Sequence, residues 1–232
     1  MSTTAKPRTL IVCLPADTAG IVTATAAVAD HVDGIPQLAP RFPVRHRNLV
    51  GWVTRWLTYW LVGARRRAGV VCWAAGGRVG RLNLTGAAAG AYLAAAARWA
   101  YWRQVSAGSR EASPWEHFLR RHQVDPKAMS LDEARRRFLA QPRIQAMEIA
   151  NAIPGAAHHL DPYEVDAYQA GHHAYATRHQ LAAIAGDAML TADGQFLQPA
   201  SEAFTDVIAY LKQAAGHVHQ LGRRHQLVAM TL

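Results

Sequence analysis

Apolar and polar positions alternate with two periods along this chain. Residues 9–14, TLIVCL, form an unbroken apolar run closed by Pro15, which predicts a short buried strand. The following ADTAGIVTATAAVADHV has helical spacing and stops near Gly34. DGIPQLAPRFPVRHR carries three prolines within eight residues and no apolar period, so it reads as loop or extended chain. Next, Leu49, Val50, Trp52, Val53, Trp56, Leu57, Trp60 and Leu61 share one half of a helical wheel. Gly51, Thr54, Arg55, Thr58 and Tyr59 take the other half, which predicts an amphipathic helix over 48–63 with tryptophans along its apolar flank.

AGVVCWAAGG, 68–77, predicts a second strand closed by glycines, and NLTGAAAGAYLAAAARWAYWRQV a long helix with a ridge of Gly86, Gly90 and Ala94. Such a ridge lets another helix come close. SAGSREASP, 106–114, has linker composition. Beyond it, Ser130 with Glu133 forms a capping box, and Asp161-Pro162 with Glu164 starts a helix predicted to reach about Gly186. Pro142 starts another helix, ended by Pro154-Gly155. Asp193-Gly194 between apolar flanks signals a hairpin. Ser201 is placed to cap a last helix running to Gly222, before a closing strand in RRHQLVAMTL. The expected fold is helix-rich α+β, several helices with a few short strands, the alternative being mainly α. The expected division is an N-terminal α/β segment, 1–105, and a C-terminal helical segment with a small hairpin, 115–232, unless the whole forms one domain.

Composition adds a charge signature. Half of the 232 residues are hydrophobic, enough for a sizeable core. Lys+Arg outnumber Asp+Glu by 25 to 16, giving +9, and the only lysines are Lys6, Lys127 and Lys212. An arginine surplus suits a polyanion, because the planar guanidinium fork matches phosphate and stacks on rings. GC-rich coding would enrich arginine as well. The arginines cluster at Arg41/Arg45/Arg47, Arg65/Arg66/Arg67, Arg78/Arg81, Arg120/Arg121, Arg135–Arg137 and Arg223/Arg224. All but the 135–137 set, which cannot share one helix face, are candidate phosphate contacts. In GGRVGR, two glycines after a strand could also bring backbone N–H groups to a phosphate, although the run matches neither a Walker loop nor GxGxxG.

Other chemistries are weaker. Cys13 and Cys72 lie in apolar runs and are too far apart for a zinc knuckle, which fits a reducing cytoplasm. His158, His159, His172, His173 and His179, with Asp161, Glu164 and Asp166 among them, lack HExxH spacing, so neither a metal nor a cofactor is expected. GxSxG is absent. The apolar stretch 49–64 is shorter than the roughly 20 residues a spanning helix needs and contains Arg55, so no membrane insertion is expected.

The tryptophan face of Trp52, Trp56 and Trp60 reads first as core or as an interface for protein subunits, and next as a base-stacking platform. The functional expectation is therefore a protein that binds RNA or DNA through backbone phosphates, alone or as a non-catalytic subunit of a ribonucleoprotein or DNA-processing assembly. A peripheral membrane protein anchored by the tryptophan helix is the first alternative. A nuclease-like enzyme without a motif is the second.

Overall fold

The computed structural model describes residues 9–16, 20–28 (side chains for 23–27), 36–45, 60–68 and 70–231. They fold into a helix-rich α+β protein with eight α-helices among the described residues. Two compact units divide the chain: Met1–Gly90, Gln180–Ala200 and Ile208–Leu232 form the first, and Ala91–His179 and Ser201–Val207 the second.

The first unit is built around β1 (Thr9–Leu14), whose apolar run is buried almost throughout. A strand buried on both faces needs partners on both edges. One edge pairs antiparallel with β10 (Gln226–Thr231), Val12 opposite Val228. The other pairs parallel with β8 (Ala188–Leu190), Val12 opposite Leu190, and β9 (Phe196–Leu197) extends the sheet beyond it. On its far edge β10 pairs first with β7 (Gly76–Arg78) and then with β2 (Gln37–Leu38), and β4 (Leu61–Val62) adds to β7. Leu10, Val12, Leu14, Ala188, Leu190, Val228 and Met230 form one apolar cluster with Ala24 of α1 (Gly20–Val28). A second, smaller sheet is antiparallel in the order β3 (Phe42–Pro43), β6 (Val70–Ala74), β5 (Arg65–Arg67).

Several expectations change here. The proline-rich stretch does contain extended chain, but β2 and β3 exist only because β10 and β6 offer them an edge. Most of the predicted tryptophan helix, including Trp52 and Trp56, lies outside the described residues. Its end is strand rather than helix: Leu61 and Val62 pair with Gly77 and Gly76. Arg65–Arg67 form an exposed strand at the edge of the small sheet among the described residues.

The second unit is helical. α2 (Leu84–Val105) enters it at Ala91 and is followed by α3 (Trp115–Val124), α4 (Leu131–Leu139), α5 (Pro142–Ala152), α6 (Val165–Gln169) and the start of α7 (His172–Ala185). Its core is aromatic: Tyr168 is fully buried between Trp102, ring centroids 5.2 Å apart, and Tyr175, 4.3 Å apart. Ser130 caps α4 by accepting from Glu133 N at 3.2 Å, while the Glu133 carboxylate turns to Arg136 and Arg137 instead of back to the cap. The helix expected from 162 to 186 is broken by Gly171, which sits at φ +101° between α6 and α7.

Residues 106–114, the expected linker, lie inside the second unit and are held there. Gln169 and Gln141 each grip a backbone amide and carbonyl, at Ala112 and Ser113, and Arg143 donates to Ser109. The closing hairpin and strand match their prediction. Ser201 accepts from Ala203 N and donates to Asp206, so it orders the turn before α8 (Phe204–Gln220).

Candidate nucleic-acid interface

In the first unit, strand β6 runs through Ala75 into β7 and then into a 3-10 turn, Val79–Arg81. Glycines at 76 and 77 let three backbones pack side by side. A Cβ on Gly76 would lie 2.2 Å from Leu227 O, and one on Gly77 would lie 2.3 Å from Trp60 O. These glycines therefore serve strand pairing and not phosphate approach. The neighbouring amides are engaged too: Arg78 N donates to Trp60 O, Val79 N to His225 O and Gly80 N to Arg223 O. What the turn presents is charge.

Around it the structure gathers arginines from three separate parts of the sequence. Arg45 N donates to Arg81 O at 3.0 Å, and Arg45 Nε to Leu82 O at 3.1 Å. The backbone and side chain of Arg223 cross Gly80, where a Cβ would meet Arg223 Cβ at 3.3 Å. Arg224 follows, exposed. Arg78 lays its guanidinium over the Trp60 ring, 3.2 Å from the centroid, so Trp60 serves as a seat for a cation. Arg65, Arg66 and Arg67 stand exposed on β5, which pairs with the β6 strand that leads into this turn.

Among the described residues, none of these arginines forms an ion pair with a carboxylate; the ion pairs between described residues lie in the second unit. The sequence explains why. From Gly34 through Arg110 there are twelve arginines and not one Asp or Glu. That acid-free run is a sharper sequence signal than net charge, which averages over both units.

Other expected contacts fall elsewhere. Arg41 is engaged in the fold: its guanidinium donates to the carbonyls of Ala182 (2.5 Å) and Ala183 (3.1 Å) at the end of α7 and to Thr9 Oγ1 (3.1 Å). Cations suit the carbonyl end of a helix. Burial lowers its pKa and Asp187 partly restores it. Arg47 lies outside the described residues. Arg120 and Arg121 belong to the second unit, where with Arg137, Val124 and Met129 they line a depression of about 330 Å³. Arg120 is within 3.5 Å of Glu116 one helical turn away, and such exposed pairs contribute little.

The histidine segment disperses. His172 packs edge-on against Trp99, and Tyr92 lies 3.4 Å from His173 Nδ1. His158 packs against Tyr101. Among the described residues no group of three metal-ligating side chains converges. Glu164 binds Arg178 at 3.0 Å and accepts from the Tyr175 hydroxyl at 3.4 Å, and Arg98 Nη1 donates to that hydroxyl at 3.5 Å. Asp161 caps its turn through Tyr163 N.

Asp166 accepts from Ala167 N (2.7 Å) and Phe204 N (3.2 Å). Burial pushes its carboxyl above the ordinary range, and those amides with Arg178 return only part of the shift. A carboxyl raised on folding contributes stability below its unfolded pKa of about 3.9 and loses it as pH rises through the folded value. Asp166→Asn cannot ionise, so its stability should gain on the natural protein's between about pH 3 and pH 7. Urea titrations of both across that range check this, and a constant difference would refute the burial argument.

No known protein family, characterised protein or solved structure matches the chain.

Proposed function

We propose that the protein binds nucleic acid by its phosphate backbone, through the first unit. Arg45, Arg81, Arg223 and Arg224 form the contact around the 3-10 turn, Arg78 braces it from its seat on Trp60, and Arg65–Arg67 extend the charge along β5. One observation carries the reading: guanidiniums from distant parts of the chain are held around one turn with no carboxylate among them. Like charges gathered this way repel and are relieved by counter-ions. A polyphosphate chain displaces those ions, and their release supplies the affinity.

Because the backbone amides of the turn are already bonded, binding should behave as point-charge neutralisation. Log K should fall with log salt by about 0.7–0.9 for each phosphate neutralised. Replacing Arg81, Arg223 and Arg224 together with glutamine should reduce that slope by about one unit for each arginine that contacts phosphate. Fluorescence anisotropy with a labelled oligonucleotide from about 50 to 300 mM salt measures both quantities. Binding to anionic vesicles but to no oligonucleotide at the lowest salt would defeat the proposal in favour of a membrane surface. An unchanged slope in the triple variant would remove this turn as the contact.

A further inference from the structure

The tryptophan exposed beside arginines is one the periodicity did not single out. Of the five tryptophans whose surroundings are described, Trp60 carries Arg78, and Trp99, Trp102 and Trp115 take part in ring contacts. Trp73 is the one of them with no ring or cation contact among the described residues, and it is 48% exposed. The small sheet explains its orientation. Phe42 and Ala74 are cross-strand partners, both fully buried, so they define the inner face. Side chains alternate along a strand, so Pro43 and Trp73, the next pair, occupy the outer face. Arg65 on β5 is the partner of Trp73 on its other side. Cross-strand partners stand about 5 Å apart at Cβ. The outer face therefore holds a row of Pro43, Trp73 and Arg65, with Arg66 and Arg67 continuing along the edge strand.

A flat ring left open on a strand whose cross-strand partner is an arginine offers a nucleotide two contacts at once, stacking for the base and charge for its phosphate. We infer that the strand bound at this surface is single-stranded, with an unpaired base stacked on Trp73 and the adjoining phosphate at Arg65. The inference rests on the phosphate-binding reading above and narrows it. A duplex keeps its bases stacked inside and offers a protruding ring nothing unless a base is extruded at a cost. Single strands present the base face directly, and stacking on an aromatic side chain tolerates any base. The acid-free run from Gly34 to Arg110 includes every residue of this row, so nothing on it repels a phosphate.

The test is binding of a thymidine oligomer of about twelve nucleotides, within the range such grooves cover, against a blunt duplex of the same length. The protein should bind the single strand more tightly. Trp73→Ala should weaken that binding roughly 5- to 150-fold, the equivalent of one lost base stack, and leave the salt slope unchanged. Trp73→Phe keeps a stacking face and should recover most of the loss. Arg65→Gln should lower the slope by about one unit with a smaller loss of affinity. Trp73→Phe also guards against misfolding of the alanine variant, because the natural protein should lose more tryptophan fluorescence on saturation than Trp73→Phe does. Equal binding of duplex and single strand, or Trp73→Ala binding within twofold of the natural protein, overturns the inference and leaves phosphate binding standing. Failure of both oligonucleotides to bind overturns both.

Discussion

Gly76→Ala should cost the first unit about 3 kcal/mol or more, the upper range for steric insertion into a packed interior. The added carbon would lie 2.2 Å from Leu227 O and 2.7 Å from Val228 Cα, both backbone atoms of β10. No rotamer change relieves that clash; one strand has to leave the other. β7 is also the strand that leads into the arginine turn, so the variant should lose oligonucleotide affinity along with stability. Gly90→Ala is the matched control, because a Cβ there meets nothing within 4 Å. In the middle of a helix that change should stabilise by up to about 1 kcal/mol. Urea unfolding of the two variants decides the matter, and a Gly76→Ala protein within about 0.5 kcal/mol of the natural one would show that β7 and β10 do not pack as described.

Tyr168→Ala should be the most damaging single truncation in the second unit, at about 3–5 kcal/mol. Its ring lies nearly parallel to Trp102 and Tyr175, at interplanar angles of 13° and 19°, and its backbone carbonyl accepts from Trp99 Nε1 at 2.9 Å. Truncation removes the middle of a three-ring column, so two aromatic contacts vanish along with the buried area. Tyr168→Phe keeps the column and should restore most of the loss. An alanine variant as stable as the phenylalanine one, by thermal or urea unfolding, would contradict this account of the core.

What could be read from the sequence depended on how local its cause was. β1, the long helix α2, the Ser130 cap and the Asp193-Gly194 hairpin follow from a run, a period or a dipeptide within a few residues. β2 and β3 could not be read, because a two-residue strand exists only where a distant strand offers an edge. The same holds for Leu61–Val62, whose apolar residues continue a helical period but pair with Gly77 and Gly76 of β7. Gly171 was a warning that the helix from 162 would break, and the periodicity on either side of it masked the break. At the surface, clustering named Arg45, Arg65–Arg67, Arg78, Arg81, Arg223 and Arg224, but no local pattern separates them from Arg41, whose carbonyl partners lie 141 and 142 residues away. Nothing local marks Trp73, because its strand reads as uniformly apolar. Only the pairing of Phe42 with Ala74 shows which face is inside.

The place of β10 has a consequence for synthesis on the ribosome. This strand lies between β1 and β7 in the larger sheet, and it consists of Gln226–Thr231. β1 is translated before its antiparallel partner, which emerges more than two hundred residues later. At about 5–20 residues per second that interval is on the order of 10–40 s. For that time Thr9–Leu14 is a nascent apolar strand with a bare edge, the kind of segment that associates with other chains. The helical segment 91–179, by contrast, is contiguous except for Ser201–Val207 and can begin packing while the sheet still waits. A polysome making this protein therefore carries many copies of an unfinished sheet side by side. Chaperone occupancy that begins once β1 has emerged and persists through translation of the residues up to β10 is the pattern that ribosome profiling of chaperone-bound nascent chains should reveal.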